Sequence, residues 1–580
     1  MSLMSSLSTG VSGLNVSQSA LNTTAHNLAN VNTKGYVRQQ IVQADHSYIK
    51  WGVTAVSTLQ TGLGVNIETI RQVRNTFLDK SYRQELGRQG FYKTQYESVN
   101  EVESMFGELE GVAFQDSLSS LWTSIQELSK EPDAIEVRAT LVENAKSFLE
   151  RASTISKQLA SYQSNLNSQI SDKVKNINDI ASKINKLNEQ ICRYESNGVE
   201  NANDLRDQRN NLLDELGGLI NITYKENADG IVTVTAEGYP LVSETQTYQM
   251  GTATVSDTSS LLKPIWTSYG DIDVFNMNMI PSTSGNTDVG SLKGLLYSRG
   301  TQEANYTDIP LRENYASDAD YQAAVNTFNS EINTSVIMTV QAQFDQLIHG
   351  VVTAINDIFA PNKKVTIDDG AGGTKEIYIF DEENAPMGMD EPDYTTGEAL
   401  FNRKSTDRYY TVNNLTYTDE DGNTFTKNVR VYNEESKDDF YSLFTLGEIE
   451  VNPEITNNYS KLPLSANKSG EVDKKAADAL LNLWNKSFAS ISPNSLSVSN
   501  FKDYYTHFIG DLATRGNELK TISENQATMV GNIDDQRQQT AGVSSDEELT
   551  NLIKFQHAYN ASSRFINVID QMLEHIITRL

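Results

Sequence analysis

The chain carries a single cysteine, Cys192, in 580 residues, so neither an intrachain disulfide nor a multi-cysteine metal site can form. A lone thiol fits a cytosolic protein, and equally one exported without passing a disulfide-forming compartment. Long apolar runs are also missing: no stretch approaches the roughly 20 apolar residues needed to span a bilayer. The start, MSLMSSLSTG, has no basic n-region, apolar h-region or cleavage site, so no classical secretory signal is expected. Positive charge is scarce, 47 Lys and Arg against 76 Asp and Glu, and the net charge of −29 disfavours nucleic acid and anionic membrane as partners.

Catalytic and metal-binding patterns are equally thin. The histidines, at 26, 46, 349, 507, 557 and 575, form no His-x-x-x-His and no Cys/His cluster. Gly285-Asn-Thr-Asp-Val-Gly290 is followed by Ser291-Leu292-Lys293, so a phosphate loop fails where its lysine belongs. Gly62-Leu63-Gly64 lacks the third glycine of a dinucleotide site, and Asp419-Glu-Asp421-Gly422-Asn423 places its glycine wrongly for a calcium loop; both read as turns. No Gly-x-Ser-x-Gly elbow occurs. An enzyme would need a carboxylate pair in a cleft that no pattern here marks, and no catalytic residue, cofactor or metal is expected.

What the chain does have is a matching pattern at its two ends. Leu7, Val11, Leu14, Leu21, Ala25 and Leu28 fall on alternating four- and three-residue steps broken only at Gln18. Leu552, Phe555, Tyr559, Ile566, Ile569, Leu573, Ile576 and Leu580 do the same, with Ser562 out of place. Apolar residues at a 3.5-residue period ask for a partner helix. Both ends therefore read as helices built to be buried, ordering on assembly rather than alone. Between them, helical spacing runs from Phe77 to about Glu110 and from Phe114 to a stop at Pro132. From about Ala134 a stripe from Ile155 to Tyr194 marks a helix roughly 90 Å long. Residues 222–284 alternate around Asp-Gly and Glu-Gly turns, the pattern of β-hairpins. A helical stretch at Ala324–Phe359 follows, then a second β region, and helical spacing returns near Lys474.

The fold class is thus α+β multidomain: terminal helices paired as a coiled coil, a discontinuous long-helix bundle domain, and outward-projecting mainly-β domains inserted in the middle. The expected boundaries are 1–48 for the N-terminal core helix and loop, and 49–221 for the first part of the long-helix domain. A β domain at 222–290, a helical return at 291–360 and a second β domain or insertion at 361–470 follow. Residues 471–543 close the long-helix domain, and 544–580 form the C-terminal core helix pairing with 1–48.

The loop after the first helix is the most specific motif. Asn27-Leu28-Ala29-Asn30, then Thr33, Gly35 and Tyr36, resemble the signature of the rod, hook and hook-associated axial proteins of the bacterial flagellum. Asn30 suits capping geometry, Gly35 a sharp exit, and Tyr36 can lie back on the helix end. At the other end Phe555-Gln556, Ala558-Tyr559 and Arg564 match the same family's terminal helix, after an N-cap at Ser544 or Ser545 with Glu547 and Glu548 in the first turn. The interior, AFQDSLSSLWTSIQELSKEPDAIEVRATLVENAKSFL, then Asn203-Asp-Leu-Arg-Asp-Gln-Arg209 and Gly290-Ser-Leu-Lys-Gly-Leu-Leu, resembles the hook-associated branch. The resemblance implies a structural protein of the hook–filament junction, located in the extracellular flagellum and exported without a cleaved signal. Its implied partners are further copies of itself in a ring, hook protein below, the next hook-associated protein above, the export apparatus, and a cytoplasmic chaperone on the C-terminal helix. A rod or hook protein would share the ends. An adhesin presenting β domains on a helical stalk is the alternative of another class.

Overall fold

The computed structural model describes residues 3–53, 58–107, 113–196, 201–257, 259–277, 279–368, 373–468, 471–472, 474–495 and 497–579. Helix α1 (Leu3–Ala29) leads through a loop into two antiparallel ribbons. Strand β1 (Gln39–Asp45) pairs with β4 (Val65–Gln72), and β2 (Tyr48–Val53) with β3 (Thr58–Gly62). Helix α2 (Thr76–Phe106) starts where the Asn75 side chain accepts the Phe77 and Leu78 N–H groups. It ends at Phe106, where the Gly107 N–H closes back on the Ser104 carbonyl; the expected end near Glu110 lies outside the described residues. Helices α3 (Phe114–Lys130), α4 (Ile135–Glu195, 61 residues) and α5 (Asn203–Leu219) follow. Along α4 the apolar stripe is buried from Ile155 to Ile191, apart from half-buried Tyr162; Tyr194 lies in solvent.

The first β region holds two three-stranded sheets: β5 (Ile222–Glu226), β6 (Val232–Ala236) and β7 (Tyr239–Val242), then β8 (Met250–Thr254), β9 (Leu262–Trp266) and β10 (Ile272–Asp273). Short α6 (Ser291–Arg299) returns to the helical body. The expected helix over 324–359 is broken in two. Helix α7 (Asp318–Thr327) runs into a wide turn at Phe328–Ile332, closed by the Asn333 N–H on the Phe328 carbonyl. Helix α8 (Val336–Phe359) then starts afresh, with the Ser335 side chain accepting the Met338 N–H. A serine cap thus competes successfully with continuation of the helix.

In the second β region β11 (Asn362–Asp368) and β12 (Thr374–Phe380) precede β13 (Phe401–Arg403), β14 (Tyr409–Thr418), β15 (Thr424–Tyr432) and β16 (Ile449–Val451). Strands β11, β12, β15 and β14 close a small barrel around Val365, Ile377, Ile379, Tyr417, Val429 and Val431, while β13 pairs with β16. Asp419–Asn423 is the β14–β15 turn. Four helices finish the chain: α9 (Pro453–Asn457), α10 (Lys474–Leu483), α11 (Phe501–Ala541) and α12 (Ser545–Arg579). Helix α11 lies along α2, and α12 along α1. The helical body is therefore assembled from distant segments. Its centre is a cluster of Phe106, Phe114, Phe148, Phe344, Tyr505 and Phe508, with neighbouring ring centroids 4.9–6.2 Å apart.

Candidate functional site

Helix α1 contains no Asp, Glu, Lys or Arg over its 27 residues. Its buried face is made of small and polar residues: Ser5, Gly10, Val16, Ser17, Ala20, Thr24 and Asn27. A Cβ at Gly10 would stand 2.9 Å from Ile566, and one at Gly13 would stand 3.0 Å from the Ser562 hydroxyl. Side chains of α12 thus fill the space that a side chain at Gly10 or Gly13 would need, and Ser562, the break in the C-terminal stripe, is where Gly13 comes closest.

This corrects the expected seam. Leu7, Leu14, Leu21 and Leu28 are only half-buried, Ala25 is exposed and Val11 is 41% exposed. At 3.6 residues per turn the leucine stripe is centred about 100° round the helix from the face that meets α12. Bulky leucines would hold the helices apart; small residues let them close. On α12, Ile569 is buried, and Leu552, Phe555, Tyr559, Ile566 and Leu573 are half-buried toward α1, while Ile576 is exposed. Leu580 lies outside the described residues. A second set on α12, Val568 and Met572 with Ile576, is exposed on the other flank, while the partly exposed Phe565 reaches α1 beside Gly10.

The motif loop ties the foot of this pair. The Asn27 amide donates to the Gln39 carbonyl (2.9 Å) and to the carboxylate of Glu548 (3.1 Å), and its oxygen accepts the Tyr36 hydroxyl (2.8 Å) and the Gln39 N–H (3.0 Å). Arg38 donates through Nε to Glu548 (2.8 Å), pairs with Glu547 (3.0 Å), and gives its N–H to the Ala541 carbonyl. The Asn30 amide donates to the His26 carbonyl, its oxygen accepts the Thr33 hydroxyl, and the Tyr36 N–H returns to Thr33. Leu28 is half-buried and Ala29 exposed. Gly35 has φ +77°, and any Cβ there would overlap the Asn211 side chain at 1.9 Å. The Tyr36 hydroxyl is held well above the usual phenol range, by burial first and then by Asp204, Asp207 and Glu548.

A ring of ion pairs continues from the foot into the body. The Val37 N–H donates to Asp207 (3.1 Å), which also accepts from Gln72 (2.7 Å); burial pushes this carboxyl up to about 7 against those donors and Arg74. Arg537, near the end of α11, donates to Asp79 (3.0 Å) and Asp214 (2.9 Å), and Arg83 holds the other oxygen of Asp214 (2.6 Å). Buried pairs of this kind strongly penalise loss of one partner. The arrangement fixes the position of the terminal pair on α2, α5 and α11. Arg38, Gln39, Arg537, Asp79 and Asp214 went unmarked by sequence reasoning. Glu548 stands four residues before Leu552, in register with the apolar stripe, but its place in the first turn of α12 already accounts for an acid there, so its buried pairing was not marked. Among the described residues no group of three or more His, Cys, Asp or Glu could hold a metal ion, and no helix is long and apolar enough to cross a membrane.

Comparison with known proteins agrees with this architecture. The family model for the flagellar hook-associated protein FlgK helical domain matches residues 99–373. The flagellar basal body rod FlgEFG protein C-terminal model matches 529–579, and the flagella basal body rod protein model matches 7–36. The flagellar hook-associated protein 1 of Bacillus subtilis is 26% identical over 98% of this chain and 97% of its own length. Its counterpart from Salmonella typhimurium is also 26% identical, over 98% of both chains, and that from Escherichia coli is 25% identical over 99% of this chain and 100% of its own. The structure of the flagellar hook junction protein FlgK from Burkholderia pseudomallei superposes with a TM-score of 0.52 at 15% identity, covering 80% of this chain and all of that one, a likeness of fold. With its ends, its helical body and nearly its full length matched, the chain resembles flagellar hook-associated protein 1 throughout and is a structural component of the bacterial flagellum.

Proposed function

We propose that this chain forms the junction between hook and filament, as a ring of subunits held together through the flanks of α1 and α12. The observation that carries the reading is the pair of unsatisfied apolar flanks on one pinned helix pair. Leu7, Val11 and Leu14 line one side, and Val568, Met572 and Ile576 line the other. Burying one such side chain is worth roughly 1.5–3 kcal/mol, so a neighbour covering both flanks gains several times that before ordering terms. The absence of charge on α1 lets copies of a −29 chain approach there without the repulsion that acts elsewhere.

In this reading hook subunits lie below the ring and the next hook-associated protein above it. The outer segments 222–290 and 361–470 project away from the axis. The chain leaves the cell through the flagellar export apparatus without a cleaved signal and resides in the extracellular flagellum. A cytoplasmic chaperone covers the α12 flank before export, which keeps copies from associating early.

Electron microscopy of cells lacking the chain, with flagellin assayed in the medium, tests the reading. Hooks of normal length without filaments, and flagellin lost to the medium, are expected. Missing hooks would assign the chain to the rod or hook, and intact filaments would remove it from the axial structure.

A further inference from the structure

We propose that a pocket between the second sheet of the first β region and the end of α6 binds a small monocarboxylate with an apolar body. Arg299, the last residue of α6, is 1% exposed and lines a cavity of about 390 Å³. The walls are apolar, from Val255, Pro264, Phe275 and Leu296, and Lys263 at the lining is occupied by Asp273 at 2.8 Å. That size and lining suit a small organic ligand.

The guanidinium is the unusual group. Its Nε donates to the Gly300 carbonyl (2.9 Å), and its Nη1 donates to the Asn167 side-chain oxygen and the Leu262 carbonyl (both 2.5 Å). These neutral acceptors engage three of its five N–H groups and leave the two on Nη2. Among the described residues no carboxylate lies within ion-pair distance of Arg299, whereas buried Arg83, Arg88 and Arg209 each have one. Arg138 and Arg403 also lack a carboxylate at that distance, but both Nη groups of each are engaged: those of Arg138 by the Leu462 carbonyl and the Met389 sulfur, and those of Arg403 by the Asn433, Ser442 and Asp407 carbonyls. Burial without a counter-charge brings Arg299 down to about 10. A carboxylate on Nη2 would supply the missing charge through a charge-assisted hydrogen bond, and its apolar body would lie against Phe275 and Leu296. A neutral ligand of the same shape would leave the cation uncompensated. The inference is independent of the junction role.

The test is isothermal titration of the full chain with 3-phenylpropionate and with its amide. The acid is expected to bind, and the amide about tenfold more weakly or worse, the size expected for losing a charged hydrogen bond. Val255→Phe, which fills the cavity from a half-buried position, should remove binding of the acid while the melting temperature stays put. Equal binding of acid and amide, binding of neither at millimolar concentration, or undiminished binding to a folded Val255→Phe chain each overturn the proposal. Should Val255→Phe fail to fold, the acid-against-amide comparison on the natural chain still decides.

Discussion

Asn27 shows how much a single side chain holds at the foot of the terminal pair. Its amide contacts β1 and α12 at once, and Glu548, 1% exposed, accepts from Asn27 on one oxygen and from Arg38 on the other. Asn27→Ala leaves the Gln39 N–H and one oxygen of a buried carboxylate without a partner. The expected loss is about 2 kcal/mol or more, seen as faster amide exchange at 24–40 and 541–552 with α4 unchanged. Exchange unaltered at the foot would show that the knot carries no stability. Asp207 gives a prediction in pH. Its folded-state value of about 7 lies above the ordinary aspartate range, so between pH 4 and 7 the folded chain keeps a proton that the unfolded chain has released. Stability from this group is therefore full near pH 4 and falls as pH rises to 7. Asp207→Asn keeps an acceptor for the Val37 N–H and removes the titration. Its stability relative to the natural chain should improve from pH 5 to pH 8 in parallel urea melts, and a constant difference would refute the assignment. None of these pairings was legible in the sequence, because Asn27 and Glu548 stand 521 positions apart and polar residues have no period to read.

Among the elements, legibility followed the size of the apolar side chains. Helices α3 and α4 were clear, since Leu and Ile at helical spacing are buried there, and the β5–β6 and β14–β15 hairpins announced themselves through tight turns. The split of 324–359 was hidden because Ser335 caps a helix within an otherwise helical pattern. The contact face of α1 was hidden for the opposite reason: hydrophobic spacing weights leucine, and the close approach uses glycine, serine and alanine. Gly10 tests that face. Gly10→Leu would drive its side chain into Ile566 and Phe565, already 2.9 and 3.1 Å from the first added carbon. Overpacking of this kind costs about 1–3 kcal/mol. The expected result is α12 released from α1, with loss of helical circular dichroism and rapid proteolysis after Gly542, while the barrel core stays protected. Protection of α12 equal to that of the natural chain would mean that the helices can part and repack without penalty.

At the scale of the whole molecule, the proposed ring would use faces of the two helices other than those that pair them within the chain, and this would separate failures of folding from failures of assembly. A substitution on the face between α1 and α12 disturbs the isolated chain, so Leu573→Asp should weaken both the helix pair and incorporation. A substitution on a flank should leave the isolated chain intact and act only when neighbours arrive. Met572, 51% exposed, sits next to Leu573 in sequence yet on the solvent side. Met572→Asp places a carboxylate where water already reaches, so the monomer's melting temperature should match the natural chain within a degree or two. In the ring the same carboxylate would be buried against a neighbour's apolar surface, a burial that an unpaired charge resists strongly. On the N-terminal flank Leu14→Asp should likewise block incorporation with a smaller effect on the monomer than Gly10→Leu. The measurement is complementation of a strain lacking the chain, scored as the fraction of hooks bearing filaments, beside melts of each purified variant. Folded Met572→Asp and Leu14→Asp chains that leave hooks bare place the subunit contacts on the flanks. Normal filaments from both variants would put those contacts elsewhere, and the exposed stripes of the terminal helices would need another partner.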